Sequence, residues 1–179
     1  MVVGDRRLVM PTNEQAVALA GATAGAILTA SLPSVLSWLR RRRRKRIFVS
    51  GCFDLLHSGH VAFFREAAQL GDLYVSVGND ANVTALKKRP MFPEDERVYM
   101  VQAIRWVHKA FVAKGMGHDQ GPDLAEVQPD IFFVNEDGDQ PIKRQQCAER
   151  GIEYVVATRL PDGNLAVRSS TSIKAELGK

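Results

Sequence analysis

The chain has 179 residues, 45% of them hydrophobic and 25% charged, a composition typical of a soluble globular protein with one domain and a tail. Its net charge of +4 is uneven, because residues 1–46 carry nine basic and two acidic side chains, a net +7, which leaves −3 for residues 47–179. An acidic body argues against nucleic acid as a partner, and two cysteines 95 positions apart argue against a disulfide framework or a zinc site.

The N-terminal segment is the first unusual feature along the chain. Residues 15–39 carry no formal charge, and seven basic residues, 40–46, follow them. A helix of this length would extend about 37 Å, enough to cross a bilayer, and the basic run is typical of the cytosolic side. Pro33 and many small residues weaken that interpretation. A membrane anchor, an organellar targeting segment and a disordered N-terminus all remain open, and the basic run would also suit an anionic-lipid surface or nuclear import.

From residue 47 onward, short apolar runs alternate with amphipathic segments. This alternation predicts an α/β domain, a Rossmann-like three-layer fold with a five-stranded parallel sheet, preceded by an N-terminal helical extension. In such sheets, ligands bind at the carboxyl ends of the strands where the strand order reverses. The predicted strands are 47–50, 73–77, 107–112, 131–134 and 152–156, and the predicted helices are 59–70, 93–104, 141–150 and a last one opening near residue 171.

Two histidines stand where the first helix of the domain is expected to begin. His57 and His60 are three residues apart, so both rings can face the same side. Gly51 and Gly59 allow a bulky anion to approach the backbone, and the N–H groups of a helix N-terminus attract anions. An imidazole placed there can stabilise charge that develops on a phosphate during group transfer, without a covalent intermediate. The segment therefore predicts a site for phosphoryl-type transfer.

The same segment carries a family resemblance. Residues 51–60, with the sequence GCFDLLHSGH, resemble the GxFDxxHxGH motif of the cytidylyltransferase-like nucleotidyltransferases, which include glycerol-3-phosphate cytidylyltransferases and heptose-phosphate adenylyltransferases. The resemblance covers about residues 46–177. Residues 86–97 are similar to the lysine-bearing loop and next helix of the short bacterial enzymes, and residues 168–174 to the Ser/Thr-rich second signature.

This resemblance implies an enzyme that transfers CMP from CTP, or AMP from ATP, to a phosphorylated alcohol or sugar and releases pyrophosphate, with Mg²⁺ accompanying the nucleotide. A membrane-tethered member would suit phospholipid head-group synthesis and slightly favours CTP, whereas the region around Lys87 favours ATP. The resemblance implies catalytic roles for His57, His60 and Lys87, with Lys87 on the acceptor phosphate or the leaving group. The implied nucleotide-binding residues are Gly51, Cys52, Phe53, Asp54, Gly59, Arg168, Ser170 and Thr171.

Two departures leave the acceptor open: Cys52 takes the place of a frequent threonine, and residues 168–171 lack the extended RTxGIST form of glycerol-3-phosphate cytidylyltransferases. The acidic residues 135–139 are either a solvated loop or a contact to the base or acceptor. A catalytically inactive, membrane-tethered nucleotide-binding or scaffold protein is the alternative function, which the intact histidine pair disfavours. We expect an extension, 1–46, a cytosolic nucleotidyltransferase domain, 47–179, and a homodimer as a candidate assembly.

Overall fold

A computed structural model of the chain describes residues 43–86, 89–158 and 163–178. Five strands form one parallel sheet in the order β3-β2-β1-β4-β5, which confirms the predicted Rossmann-like architecture. The strands are β1 (Arg46–Gly51), β2 (Asp72–Val77), β3 (Val107–Val112), β4 (Ile131–Asn135) and β5 (Glu153–Ala157).

Helices follow the strands along the chain. The described residues form α1 (Ser58–Leu70), α2 (Asp80–Leu86), α3 (Glu94–Gln102), α4 (Gly121–Val127), α5 (Pro141–Arg150), α6 (Ser170–Glu176) and a short 3₁₀ helix (Glu136–Gly138). The sequence pattern did not predict α2 and α4, because each has only seven residues and too little apolar periodicity. The predicted extension of α3 to Ile104 was wrong by two residues, although Ile104 still packs against the core.

Each face of the sheet is covered by its own apolar cluster. Ile47 and Val49 point to the face covered by α1 and α3, where they pack with Phe64 and Val101. Phe48, between them in the strand, points to the opposite face, covered by α4 and α5. The side chains of β1 are therefore buried on both sides, as expected for the central strand of a three-layer domain.

The sheet opens at one place, between β1 and β4. The β1–β2 ladder runs over six paired positions and the β4–β5 ladder over five. The β1–β4 ladder has only two, Ile47 with Ile131 and Phe48 with Phe132. The strand order also reverses at this pair, so the carboxyl ends of β1 and β4 form the crevice in which such sheets bind ligands.

The N-terminal extension lies almost entirely outside the described residues, which include only 43–46 of it. The three alternatives for that segment therefore stay predictions. Among the helices of the described residues, none has both the length and the apolar character needed to cross a membrane.

Candidate active site

The histidine pair caps the N-terminus of α1. His57 is the N-cap residue, and its Nδ1 accepts a hydrogen bond from the backbone N–H of Gly59 at 3.1 Å. His60 completes a capping box, because its Nδ1 accepts from the backbone N–H of His57 at 3.4 Å. The two rings stack with centroids 3.8 Å apart. Since both Nδ1 atoms accept hydrogen bonds, the ring hydrogen of each neutral imidazole lies on Nε2, which is then the donor.

The loop before α1 is built tightly around Phe53. Phe53 has a positive φ of 50°, and its ring packs against His60 and Phe64 with centroids 5.2 and 5.0 Å away. A Cβ on Gly51 would lie 2.8 Å from the Phe53 ring, and a Cβ on Gly59 would lie 3.0 Å from the His57 ring. A side chain at position 51 would therefore displace the Phe53 ring, and one at position 59 would crowd the His57 ring.

Asp54 fastens the same loop to two other parts of the domain. Its buried carboxylate accepts hydrogen bonds from the backbone N–H groups of Met91 at 2.9 Å and Phe92 at 3.2 Å, and pairs with the ammonium of Lys174 on α6 at 2.6 Å. Burial by itself raises the pKa of Asp54, but the Lys174 and backbone hydrogen bonds outweigh it and hold that pKa below 3.8. Asp54 therefore orients the loop, because its carboxylate is bound by backbone N–H groups and by Lys174.

The last helix is held against the motif by a second contact. The hydroxyl of Ser170 donates to the backbone carbonyl of Leu55 at 2.9 Å. The carbonyl oxygen of Arg168 lies 3.6 Å from the position that a Cβ on Gly59 would take. Residues far apart in sequence, at the start of α1 and before α6, thus form one surface.

Most of the predicted site residues line a single cavity of about 390 Å³ at the carboxyl ends of the strands. Arg168 is not among the lining residues, and Lys87 lies outside the described residues. Asn135, Asp137 and Gly138 from the acidic segment also line the cavity, so part of that segment reaches the site. The predicted residues that line the cavity are Gly51, Cys52, Phe53, Asp54, His57, Gly59, His60, Ser170 and Thr171.

Arg97 is a structural residue of the site to which the sequence assigned no role. Its guanidinium is fully buried and donates to the backbone carbonyls of Cys52 and Gly78, both at 2.7 Å, and of Phe92 at 3.0 Å. It also pairs with the carboxylate of Asp80 at 2.6 Å. The side chain thereby ties the ends of β1 and β2 to the loop before α3, which places the motif loop next to the sheet.

Two further polar side chains of the cavity wall were also missed, Gln120 before α4 and Lys143 on α5. Both are more than nine-tenths buried. The signal for Lys143 is its position four residues before the buried Cys147, which puts a lysine on the apolar stripe of α5. Within the described residues, no group of three or more His, Cys, Asp or Glu side chains is arranged to hold a metal ion.

Comparison with known proteins assigns the family. The sequence profile described as cytidylyltransferase-like matches residues 48–176. The chain belongs to this family. It is 39% identical over 131 residues to the FAD synthase of Methanoculleus marisnigri, a match covering 72% of this chain and 85% of the relative. It is also 39% identical over 119 residues to the FAD synthase of Methanosarcina mazei, covering 65% and 76%.

Solved structures of other proteins share the fold. The lipopolysaccharide core biosynthesis protein from Thermoplasma volcanium superposes with a TM-score of 0.57 at 26% identity, covering 67% of this chain and 99% of that one. A pantothenate synthetase from Thermus thermophilus, at 18% identity and a TM-score of 0.53 over 76% and 64% of the two chains, shares the fold. This cytidylyltransferase-like chain is thus an enzyme, a nucleotidyltransferase, as the motif at residues 51–60 predicts.

Proposed function

We propose that the enzyme transfers AMP from ATP to FMN and releases FAD and pyrophosphate. The observation that carries this proposal is the 39% identity to an FAD synthase over 131 residues, which span 85% of that relative. FMN is a phosphorylated small molecule, the acceptor class that the motif implies. The similarity to FAD synthases favours ATP as the nucleotide. It counts for more than the slight preference for CTP, which depended on the enzyme being tethered to a membrane.

The geometry of the site supports such a transfer. The Nε2–H groups of His57 and His60 are donors for the oxygens of the nucleotide phosphates, and the positive end of the α1 dipole favours the same anion. As negative charge develops on those oxygens, these donors stabilise the transition state without any reorganisation. Ser170 and Thr171 line the same cavity from α6 and add polar contacts to the nucleotide. The Asp54–Lys174 pair keeps α6 in place.

Lys87 and Mg²⁺ complete the proposal. We assign Lys87 to the phosphate of the acceptor, because the ammonium of a lysine is a compact point charge that suits a phosphate. Lys87→Ala should therefore raise the KM for the acceptor more than that for ATP, and steady-state kinetics with each substrate varied in turn would contradict the assignment if only the ATP KM moved. Mg²⁺ would accompany the triphosphate, whose oxygens are ligands of the kind that it prefers.

The decisive experiment is a screen of ATP and CTP against FMN, glycerol 3-phosphate and a heptose phosphate. Pyrophosphate release and the mass of the product are measured for each pair. We expect release with ATP and FMN, and a product with the mass of FAD. A product with CTP would replace the nucleotide assignment, and no pyrophosphate from any pair would contradict the proposed activity. The double variant His57→Asn, His60→Gln is the matched control, because it keeps acceptors for the capping box.

We further propose that residues 1–46 are dispensable for catalysis and bind the domain to a membrane. The uncharged run 15–39 and the basic run 40–46 support this role, since each basic residue near an anionic surface contributes about 1 kcal/mol. A variant beginning at Lys45 should keep its turnover, and the full chain should sediment with vesicles and resist high salt. Release by salt would point to a peripheral basic patch instead. A homodimer is a further proposal, which analytical ultracentrifugation tests.

A further inference from the structure

The opening between β1 and β4 contains a buried lysine that the proposed chemistry has not used. The Lys143 side chain is 6% exposed and lines the cavity from the first turn of α5. Its Nζ lies 5.6 Å from the ring centroid of Phe132 and donates to the backbone carbonyl of Gly138 at 2.9 Å. Burial lowers the pKa of the ammonium, against a weaker opposing effect of nearby acidic groups.

Among the described residues, no carboxylate forms an ion pair with this ammonium. Lys143 forms no ion pair among the residues that the structure describes, whereas Lys174 is paired with Asp54. The nearby carboxylate of Asp139 is bound by the guanidinium of Arg144. An ammonium has three donors, and the carbonyl of Gly138 uses one of them. A buried cation is normally paired, so the side chain is arranged for an anion that enters the cavity.

Two neutral groups with unmet hydrogen bonds line the same cavity. The Oγ of Ser50 and the Oε1 of Gln120 are buried and have no hydrogen-bond partner among the described residues. Ser50 follows Phe48 by two positions in β1 and so faces the side of α4 and α5. The backbone N–H of Gln120 bonds to Gln146, one helical turn after Lys143 on α5. Lys143 and Ser50 can donate hydrogen bonds to phosphate oxygens, and the Gln120 oxygen can accept from a hydroxyl, so the cavity wall offers groups that suit a phosphate monoester on a hydroxylated carbon chain.

The two walls of the cavity lie on opposite faces of the sheet. His57 and His60 belong to the start of α1, and Lys143 belongs to α5 on the other face. Nucleotidyl transfer is an in-line displacement, so the nucleophile and the leaving pyrophosphate lie on opposite sides of the α-phosphorus. With the pyrophosphate end on the histidine side, the acceptor enters from the side of α5. We infer that Lys143 binds the phosphate of the acceptor, an inference that rests on the proposed nucleotidyl transfer.

The step needs no further reactant. An oxygen of the acceptor phosphate forms a bond to the α-phosphorus of ATP, while the bond from that phosphorus to the bridging oxygen of the β-phosphate breaks. Pyrophosphate leaves with the electron pair of that bond, and the acceptor oxygen is already anionic, so no proton has to be removed. The charge of Lys143 would reduce the repulsion between the acceptor phosphate and the triphosphate.

A direct contact can be tested without turnover. The full chain is labelled with ¹³C at the lysine ε carbons, and the Lys143 signal is identified by its loss in Lys143→Gln. Titration with inorganic phosphate should shift that signal, also in a His57→Asn background that weakens competing sites. The exposed Lys109 is the reference, and its signal should move little. A Lys143 signal that does not respond to phosphate would overturn the inference.

Kinetics provide the second test. Lys143→Met keeps the alkyl stem and removes the charge, so it should raise the KM for the acceptor roughly tenfold to a hundredfold, as expected for a lost charge-assisted hydrogen bond. The KM for ATP should change less than about twofold, and Lys109→Gln should leave both constants unchanged. A rise in the ATP KM alone would overturn the inference. So would a lower melting temperature with unchanged KM values, since Lys143 would then only support the Gly138 carbonyl.

The two tests separate this inference from the function on which it rests. If the wild type releases no pyrophosphate with any substrate pair, the proposed activity fails, and the phosphate titration still decides whether Lys143 is an anion-binding residue. If the wild type is active but Lys143→Met has wild-type constants, the activity stands and the role of Lys143 fails.

Discussion

The central strand β1 meets its two neighbours in very different ways. At the end next to β2, the buried guanidinium of Arg97 makes four hydrogen bonds, three to backbone carbonyls and one to Asp80. At the end next to β4, the ladder stops after two positions and the buried ammonium of Lys143 makes one. Both cations are more than nine-tenths buried, yet only the first is paired with a carboxylate.

This difference indicates what each buried charge is for. A buried cation that is paired with a carboxylate and directs most of its donors at protein acceptors stabilises the fold, because removing it leaves those acceptors without partners. A buried cation with donors to spare, in the wall of a cavity that also contains a hydroxyl and an amide oxygen without partners among the described residues, is arranged for a ligand. The contacts between β1 and β2 therefore hold the site in shape. The opening between β1 and β4 is where we expect the ligand to bind.

Arg97→Met should have the largest effect, because it leaves three carbonyls and the carboxylate of Asp80 without their shared donor. We expect a loss of about 3–5 kcal/mol in the free energy of unfolding and a melting temperature lower by about 10 °C or more. Urea unfolding followed by circular dichroism measures the first quantity and calorimetry the second. A melting temperature within about 2 °C of the wild type would show that the two junctions of β1 do not differ as argued.

The histidine pair gives the next largest effect, and here the loss is in turnover. His57→Asn and His60→Gln preserve the capping-box acceptors but remove the Nε2–H donors. We expect each variant to lower kcat roughly a hundredfold to a thousandfold, with a melting temperature close to that of the wild type. Single-turnover measurements of pyrophosphate release, paired with thermal melts, test this. Near-normal turnover in both variants would remove the histidines from the mechanism.

Asp54→Asn tests whether the ion pair between Asp54 and Lys174, which joins the motif loop to α6, supports the site. Losing the charge partner of the half-buried Lys174 should lower the free energy of unfolding by about 1–3 kcal/mol. Because the pKa of Asp54 is held below 3.8 in the folded state, its stabilising effect is complete above about pH 4 and is lost as the pH falls through that lowered value. Stability measured between pH 6 and pH 2.5 should therefore fall less steeply in the variant. Parallel curves of stability against pH for the two proteins would contradict this role of the ion pair.

Gln120→Leu should have the smallest effect on the fold, because it replaces a buried, unpartnered oxygen by an apolar group of similar size. We expect the melting temperature to stay the same or to rise by a few degrees, and the KM for the acceptor to rise severalfold. Leu124→Asn, which instead puts a polar group into the packed core of α4, should lower the melting temperature sharply. A destabilised Gln120→Leu with an unchanged KM would make Gln120 a structural residue.

Much of the fold followed from local patterns. The five apolar runs beginning at residue 47 each became a strand within one or two residues, because β-branched and aromatic residues flanked by polar turns favour strands. The start of α1 and the histidine pair were also predictable, since they lie within ten consecutive residues and depend on short-range capping. The short helices α2 and α4 were not, because seven residues carry too weak a periodic signal.

In the site, too, some features follow from local sequence and others only from tertiary contacts. The sequence alone determined the parallel α/β architecture and the phosphate-handling segment 51–60, because both depend on interactions between residues close together in the chain. Only the tertiary structure decided that Asp54 pairs with Lys174, that Arg97 joins β1 to β2, and that Lys143 lies in the opening of the sheet. Those contacts join residues 19 to 120 positions apart, or depend on where the β1–β4 ladder stops, and a local pattern carries no information about either.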